Sequence, residues 1–175
     1  MSPDAAPDYA RTLEATTNDT ARWLSSLPES VVAWRPTPAA WSTKEIIGHL
    51  IDSAANNHQR FVRATSEPGL VFPGYAQDEW VRVQAYHSAT WSSLVTLWQT
   101  YNLHIAHVMR AVPVEVRERK HARHNFDQIG FRVFDATQPV TLDDLMYDYV
   151  LHLEHHLAQV RERVRGAEGG LVAGS

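Results

Sequence analysis

Apolar residues recur every three or four positions in four long stretches, the rhythm of amphipathic helices. The first stretch runs from Asp8 to Leu27, with Tyr9, Leu13, Thr16, Thr20, Trp23 and Leu27 on one side, and Pro28 follows it. Pro36 and Pro38 keep the segment from Val31 to Trp41 out of any helix interior. A second helix starts at Ser42-Thr43-Lys44-Glu45, where Ser42 can cap and Glu45 can reach back, and it is predicted to run to about Thr65. Pro68, Gly69, Pro73 and Gly74 mark a loop, with a short helix expected around Asp78–Val83. The third helix spans Ser88 to Val112, with Leu94, Trp98, Tyr101, Ile105 and Val108 as its stripe, and stops at Pro113. Residues 113–140 form a long irregular connection. The fourth helix opens at Thr141, with Asp144 three residues on, and continues to about Arg165.

No strand alternation competes with these helices. The pattern predicts an all-α fold, an up-down antiparallel four-helix bundle with a long connection between helices three and four. Neither an internal repeat nor a composition break divides the chain, so one domain over residues 1–175 is expected. Its ordered core is expected at about 8–165. The small, Pro-containing start (Met1–Pro7) and the Gly-rich stretch Gly166–Ser175 read as loose ends.

Composition narrows the chemistry. The 175 residues are 44% hydrophobic and 21% charged, a globular balance. A net charge of −4 lacks the basic surplus of a nucleic-acid binder. No apolar run is long enough for a membrane span, and the first residues lack the basic and apolar regions of a secretory leader, so a cytoplasmic protein with no membrane or nucleic-acid partner is expected. Absence of cysteine excludes a disulfide framework, thiolate metal sites and a Cys nucleophile. There is neither a Gly-rich phosphate loop nor a GxSxG elbow. Ten histidines and six tryptophans remain. Trp91 and Trp98 share a face of helix three and can serve either the core or a homodimer interface, the expected oligomer.

The histidines sort by helix face. His152 and His156 are four apart, close enough for one metal ion. Chance alone supplies about 0.6 such pairs, so spacing needs context. Leu145, Tyr149, His152 and His156 step by four, three and four, which turns both imidazoles toward the core; His155 lies nearer the edge. Periodicity leaves two readings open, a shared metal or a pair of core histidines bonded to backbone or Tyr149. On helix two, His49, Ser53, Asn56 and Arg60 form a strip beside the apolar arc of Ile46, Ile47, Leu50, Ala54 and Phe61. The strip reads as pocket lining or as a solvated face. Asp52, three from His49, can back a ligand or serve as one. His58, His87, His104, His107, His121 and His124 read as structural or exposed.

Two segments resemble the DinB/YfiT-like family of bundle metalloproteins. Trp41-Ser42-Thr43-Lys44-Glu45 through His49-Leu50-Ile51-Asp52 is similar to its W-S-x-x-E-x-x-x-H-L-x-D segment. His152-Leu153-Glu154-His155-His156 through Gln159 is similar to its H-x-x-H-H-x-x-Q segment. The resemblance implies a divalent metal, commonly zinc or nickel, on His49, His152 and His156; Asp52 and His155 are candidates to support these ligands. It also implies a small-molecule substrate. Characterised relatives are thiol transferases or isomerases that use low-molecular-weight thiols such as bacillithiol or mycothiol.

The mechanism expected on that basis is a metal-dependent thiol (S-)transferase. A thiol on the open metal position loses its proton and attacks a small electrophile. Arg60, Asn56 and the basic 117–123 segment are candidates for binding the substrate; no catalytic residue is assigned. The alternatives are a hydrolase that uses metal-bound water and a non-enzymatic metal-binding stress-response module that dimerises through an aromatic helix face.

Overall fold

The computed structural model describes residues 8–173, so Met1–Pro7 and positions 174–175 lie outside it. Among the described residues eight α-helices follow in order: α1 (Asp8–Ser25), α2 (Glu29–Val32), α3 (Thr43–Ala64), α4 (Gln77–Gln84), α5 (Trp91–Ala111), α6 (Val114–Arg117), α7 (Phe126–Ile129) and α8 (Leu142–Ala173), with a short 3-10 turn at Tyr86–Ser88 before α5. Among the described residues there is no strand, only isolated bridges between Leu70 and His124 and between His121 and Val140. No described helix is long and apolar enough to cross a membrane. The all-α four-helix bundle is therefore as the sequence predicts, with α1, α3, α5 and α8 as its long members.

Local chemistry sets the helix starts. Glu45 Oε2 accepts the Ser42 N–H at 2.8 Å, and Ser42 Oγ accepts from the Glu45 N–H, so the capping box is complete. At α8, Asp144 Oδ2 accepts the Thr141 N–H at 2.8 Å and the Asp144 N–H returns to Thr141 Oγ1 at 3.1 Å. The core is built from apolar stripes: Leu13 and Leu24 of α1, Ile47, Leu50 and Phe61 of α3, Trp98 and Ile105 of α5, and Met146, Leu153 and Val160 of α8 are all buried. Trp91 and Trp98 serve this core rather than a partner, and Trp91 Nε1 donates to the Leu24 carbonyl at 2.9 Å.

Helix directions follow from which ends meet. Trp91 meets Leu24 and Arg110 meets Glu14, so α1 and α5 are antiparallel. His49 meets His152 while Phe61 meets Tyr149, so α3 and α8 are antiparallel as well. Tyr9 meets Asp143 and Trp23 meets Arg161, which makes α1 and α8 parallel. Gly48 lies under Tyr86, just ahead of α5, and His58 meets His104, which makes α3 and α5 parallel. In chain order the long helices run up, down, down, up. The up-down antiparallel order expected from the sequence thus holds for two neighbouring pairs, and the other two pairs are parallel. A parallel pair needs a connection that returns the length of the bundle. That connection is 65–90, whose Pro73, Tyr75 and Tyr86 pass Arg60, His49 and Gly48 in turn. The 113–140 connection joins α5 and α8 at one end instead.

One boundary differs from the expectation. α8 does not stop near Arg165 but continues through the Gly-rich stretch to Ala173. At Gly166 packing opposes the low helix propensity of glycine. A Cβ on Gly166 would sit 3.0 Å from the Trp34 ring, and the next residue, Ala167, is fully buried.

Candidate metal centre

Three imidazoles converge between α3 and α8. One ring nitrogen from each of His49, His152 and His156 lies within 4.8 Å of the others. His49 is 1% exposed, and the other two are half-buried. Facing stripes produce this: α3 turns His49 and Ser53 toward α8, and α8 turns Tyr149, His152 and His156 toward α3. The Nε2 atoms of His49 and His152 are 3.3 Å apart. The rings of His152 and His156 are 4.5 Å apart between centroids, and those of His49 and His156 4.7 Å.

Burial keeps these rings neutral. It lowers the pKa of His49 to about 4 and of His152 to about 3, each helped by neighbouring histidines. His156 is lowered by burial too, while its bond to Gln159 pushes the other way. Neutral imidazoles present a lone pair, the form in which histidine binds metal.

The opposite ring atoms are mostly held from behind. Gln159 Oε1 accepts from His156 Nδ1 at 2.8 Å, which leaves Nε2 of that ring as the free lone pair. Gln159 Nε2 in turn donates to His155 Nε2 at 3.1 Å. His152 Nδ1 lies 3.4 Å from Ser53 Oγ. His49 Nδ1 is buried with no hydrogen-bond partner. Ring nitrogens around a tetrahedral zinc at the usual ~2.0–2.1 Å are about 3.4 Å apart, so the His49–His152 spacing suits a shared ion. The residues present fit a divalent metal.

The centre opens into a cleft of about 410 Å³. Its walls come from α3 (Ser53, Asn57, Arg60), α8 (Leu145, Tyr149, His155) and two loops with the helix ends beside them, Gly74, Tyr75 and Gln77 at the start of α4 and Gln128–Phe131 at the end of α7. Those loops are fastened to each other and to the bundle. Asn125 bonds both backbone groups of Phe72, and the Leu70 N–H donates to the Arg123 carbonyl at 2.9 Å. The Asp148 carboxylate accepts the N–H groups of Phe131 and Arg132, each at 2.8 Å, so Phe131 rests against His152 and His155.

The other candidates divide. Arg60 lines the cleft; Asn56 does not, and its amide bends back to the Asp52 carbonyl at 2.9 Å. Asn57 takes that place. The reason is directional: α8 sits on the Ser53 side of the helix-two strip, about 40° beyond His49, and Asn57 lies a further ~40° that way. Asp52 bonds none of the three histidines. Its Oδ1 accepts from Tyr86 and Gln84, each at 2.6 Å, and burial raises its pKa against the pull of those two bonds. His155 meets the His156 ring edge-on at 5.2 Å between centroids and shares Gln159 with it. The 117–123 segment lies off the cleft, with Arg117 paired to Asp143 at 2.6 Å. His58, His104 and His107 cluster on the α3/α5 side, with ring centroids 5.0 and 6.2 Å apart. Sequence reasoning gave no role to Gln159 or Tyr75. For Gln159 the signal was its spacing, one turn beyond His155 and His156.

A family profile described as DinB superfamily matches residues 12–160. A Bacillus subtilis (strain 168) protein named "Putative metal-dependent hydrolase YfiT" is 24% identical over 125 residues, which cover 71% of this chain. The match spans 65% of that relative's length, just under two thirds. The solved structure of YfiT from Bacillus subtilis, described as "a probable metal-dependent hydrolase with an unusual four-helix bundle topology", superposes with a TM-score of 0.73. It is 19% identical and covers 94% of this chain and 89% of its own, a likeness of fold.

Proposed function

The chain belongs to the DinB superfamily, and on that premise we propose that it is a metal-dependent enzyme acting on a small molecule, with His49, His152 and His156 holding a divalent ion. The observation that carries this reading is the meeting of three neutral imidazole nitrogens within 4.8 Å at the wall of an open cleft. A three-histidine site suits zinc or nickel and leaves coordination positions for a reacting group. A divalent ion bound there supplies Lewis acidity and lowers the pKa of a nucleophile that reaches it.

The chain's own residues do the rest. Gln159 fixes the tautomer and orientation of His156, and Ser53 braces His152. Phe131 and Tyr75 screen the histidines from bulk water on two sides. Hydrolysis, with water as nucleophile, is the reading supported by the relative's name. Transfer to a substrate thiol is the second reading. It is favoured by one observation: the carboxylate lining the cleft, Asp148, is occupied with two backbone N–H groups and Arg132, which leaves it no part as a base toward water.

The experiment is metal analysis of untagged protein after metal-replete expression. About one equivalent is expected in the wild type, and His152→Ala should abolish it. Less than about a tenth of an equivalent in the wild type would remove the basis for the proposal. Ester hydrolysis without thiol, set against conjugation of a generic electrophile with thiol, then separates the two reactions. Equal rates for wild type and His49→Ala in both would exclude the site from either.

A further inference from the structure

Two arginines are more than nine-tenths buried, and they differ in one respect. Arg117 is 7% exposed and has the Asp143 carboxylate at 2.6 Å. Arg60 is 6% exposed and, among the described residues, pairs with no carboxylate. Its bonds go to neutral acceptors, the Asn57 side-chain oxygen at 3.3 Å and the Pro73 carbonyl at 3.0 Å. The nearby Tyr75 phenol is pushed up to about 12, chiefly by burial, and so is neutral too. Asp148 lines the same cleft but is held by Arg132 and the backbone of the loop above it. Taking a guanidinium out of water without a counter-charge is unfavourable. Its five donors form a planar fork that suits a carboxylate or phosphate, and two bonds do not exhaust them.

We propose that the cleft binds its substrate through an oxyanion, a carboxylate or phosphate group, with Arg60 as the anchor and Asn57 orienting the guanidinium. The proposal rests on this cleft being the substrate site of the enzyme inferred above. It makes the substrate a small anion whose reactive end lies toward the three histidines and whose charged end lies toward Arg60. Arg60 also fastens Pro73, in the loop that carries Tyr75 past His49, so anion binding and loop position share one side chain.

The test is calorimetric titration of the full chain as purified, at fixed ionic strength, with succinate, methylphosphonate and neutral succinamide. Saturable binding of succinate or methylphosphonate is expected, the stronger of the two identifying the anion class, and succinamide should not bind. Arg60→Gln should weaken anion binding at least about tenfold, and Arg60→Lys, which keeps the charge without the fork, should fall between. Equal titrations in wild type and Arg60→Gln would overturn the proposal, since an anion seated on a bound metal, or merely on surface charge, binds both alike. Equal binding of succinamide would overturn it as well. If Arg60→Gln does not fold, the wild-type contrast between succinate and succinamide, with Arg60→Lys, decides. Metal content measured on the same samples keeps the two readings apart: Arg60-dependent anion binding in a protein without metal retains the anchor and loses the metal centre.

Discussion

Gly48→Ala, one residue before His49, sets two physical effects against each other. On helix propensity alone, alanine in mid-helix should stabilise by about 0.8–1 kcal/mol. The structure dictates the reverse. A Cβ on Gly48 would lie 2.1 Å from Tyr86 Cδ2, 2.2 Å from Cγ and 2.7 Å from Cε2. Carbon atoms in contact sit about 3.5–4.0 Å apart, so the ring must move by roughly 1.5 Å. Overpacking of this kind costs about 1–3 kcal/mol. The move also pulls the Tyr86 hydroxyl from Asp52, whose second oxygen is already buried without a partner. That bond is worth about 1–3 kcal/mol. The net expectation is a loss of about 1–5 kcal/mol, or roughly 2–20 °C in Tm for a chain of this size. Thermal and urea melts of metal-free protein measure it. A variant as stable as wild type, or more so, refutes the argument. Tyr86→Ala supplies the control: in that background Gly48→Ala should turn neutral or stabilising, and a persisting loss would mean that Tyr86 is not the obstacle.

Gln159→Leu should lower metal affinity about 10–100-fold while the metal-free fold changes by less than about 1 kcal/mol, because it removes the acceptor behind His156; competition with a chelator reads this, and unchanged affinity counts against it. Asp148→Ala should release the loop over the histidines, at a cost of about 2–3 kcal/mol, with faster amide exchange at Phe131 and Arg132; exchange at the wild-type rate would show that the carboxylate does not hold them. For metal-free protein, stability should fall on acidification. The unfolded chain takes up protons at the ordinary histidine pKa of about 6.5, whereas the folded His49 and His152 resist until about 4 and about 3. Between pH 6.5 and 4 each group therefore contributes a slope of up to about 1.4 kcal/mol per pH unit, and a flat urea midpoint between pH 7 and 5 would contradict it.

The parts of this fold legible in the sequence are those fixed locally. Ser42 and Glu45 announce their helix because a capping box needs only four residues. The seam from Leu145 to His156 shows which face of α8 is buried, and the strip from His49 to Arg60 shows that α3 carries a polar edge beside its apolar arc. Periodicity assigns a face, not a neighbour. That is why the parallel pairing of α3 with α5 and the return path of 65–90 were not readable. It is also why Asn56 was expected where Asn57 stands: the two differ by 100° around the axis, and only the position of α8 chooses between them. Gly166 misleads for a related reason. Glycine signals a helix end in isolation, but here the small residue makes room for Trp34, which lies far away in sequence.

The His49–His152 contact joins positions 103 residues apart. An ion shared by those rings would close a loop of that length, so it would act on the unfolded chain as a reversible cross-link. Loop-closure entropy grows only with the logarithm of length, but its constant part is large, and a covalent tie over a loop of about 100 residues is worth on the order of 4–5 kcal/mol. Assembly order follows as well. The three-histidine centre is complete only once α8, later in the chain than α3, has docked against it. Metal loading would then report completion of the bundle, and the rate at which ions are lost would report how often α8 lifts away.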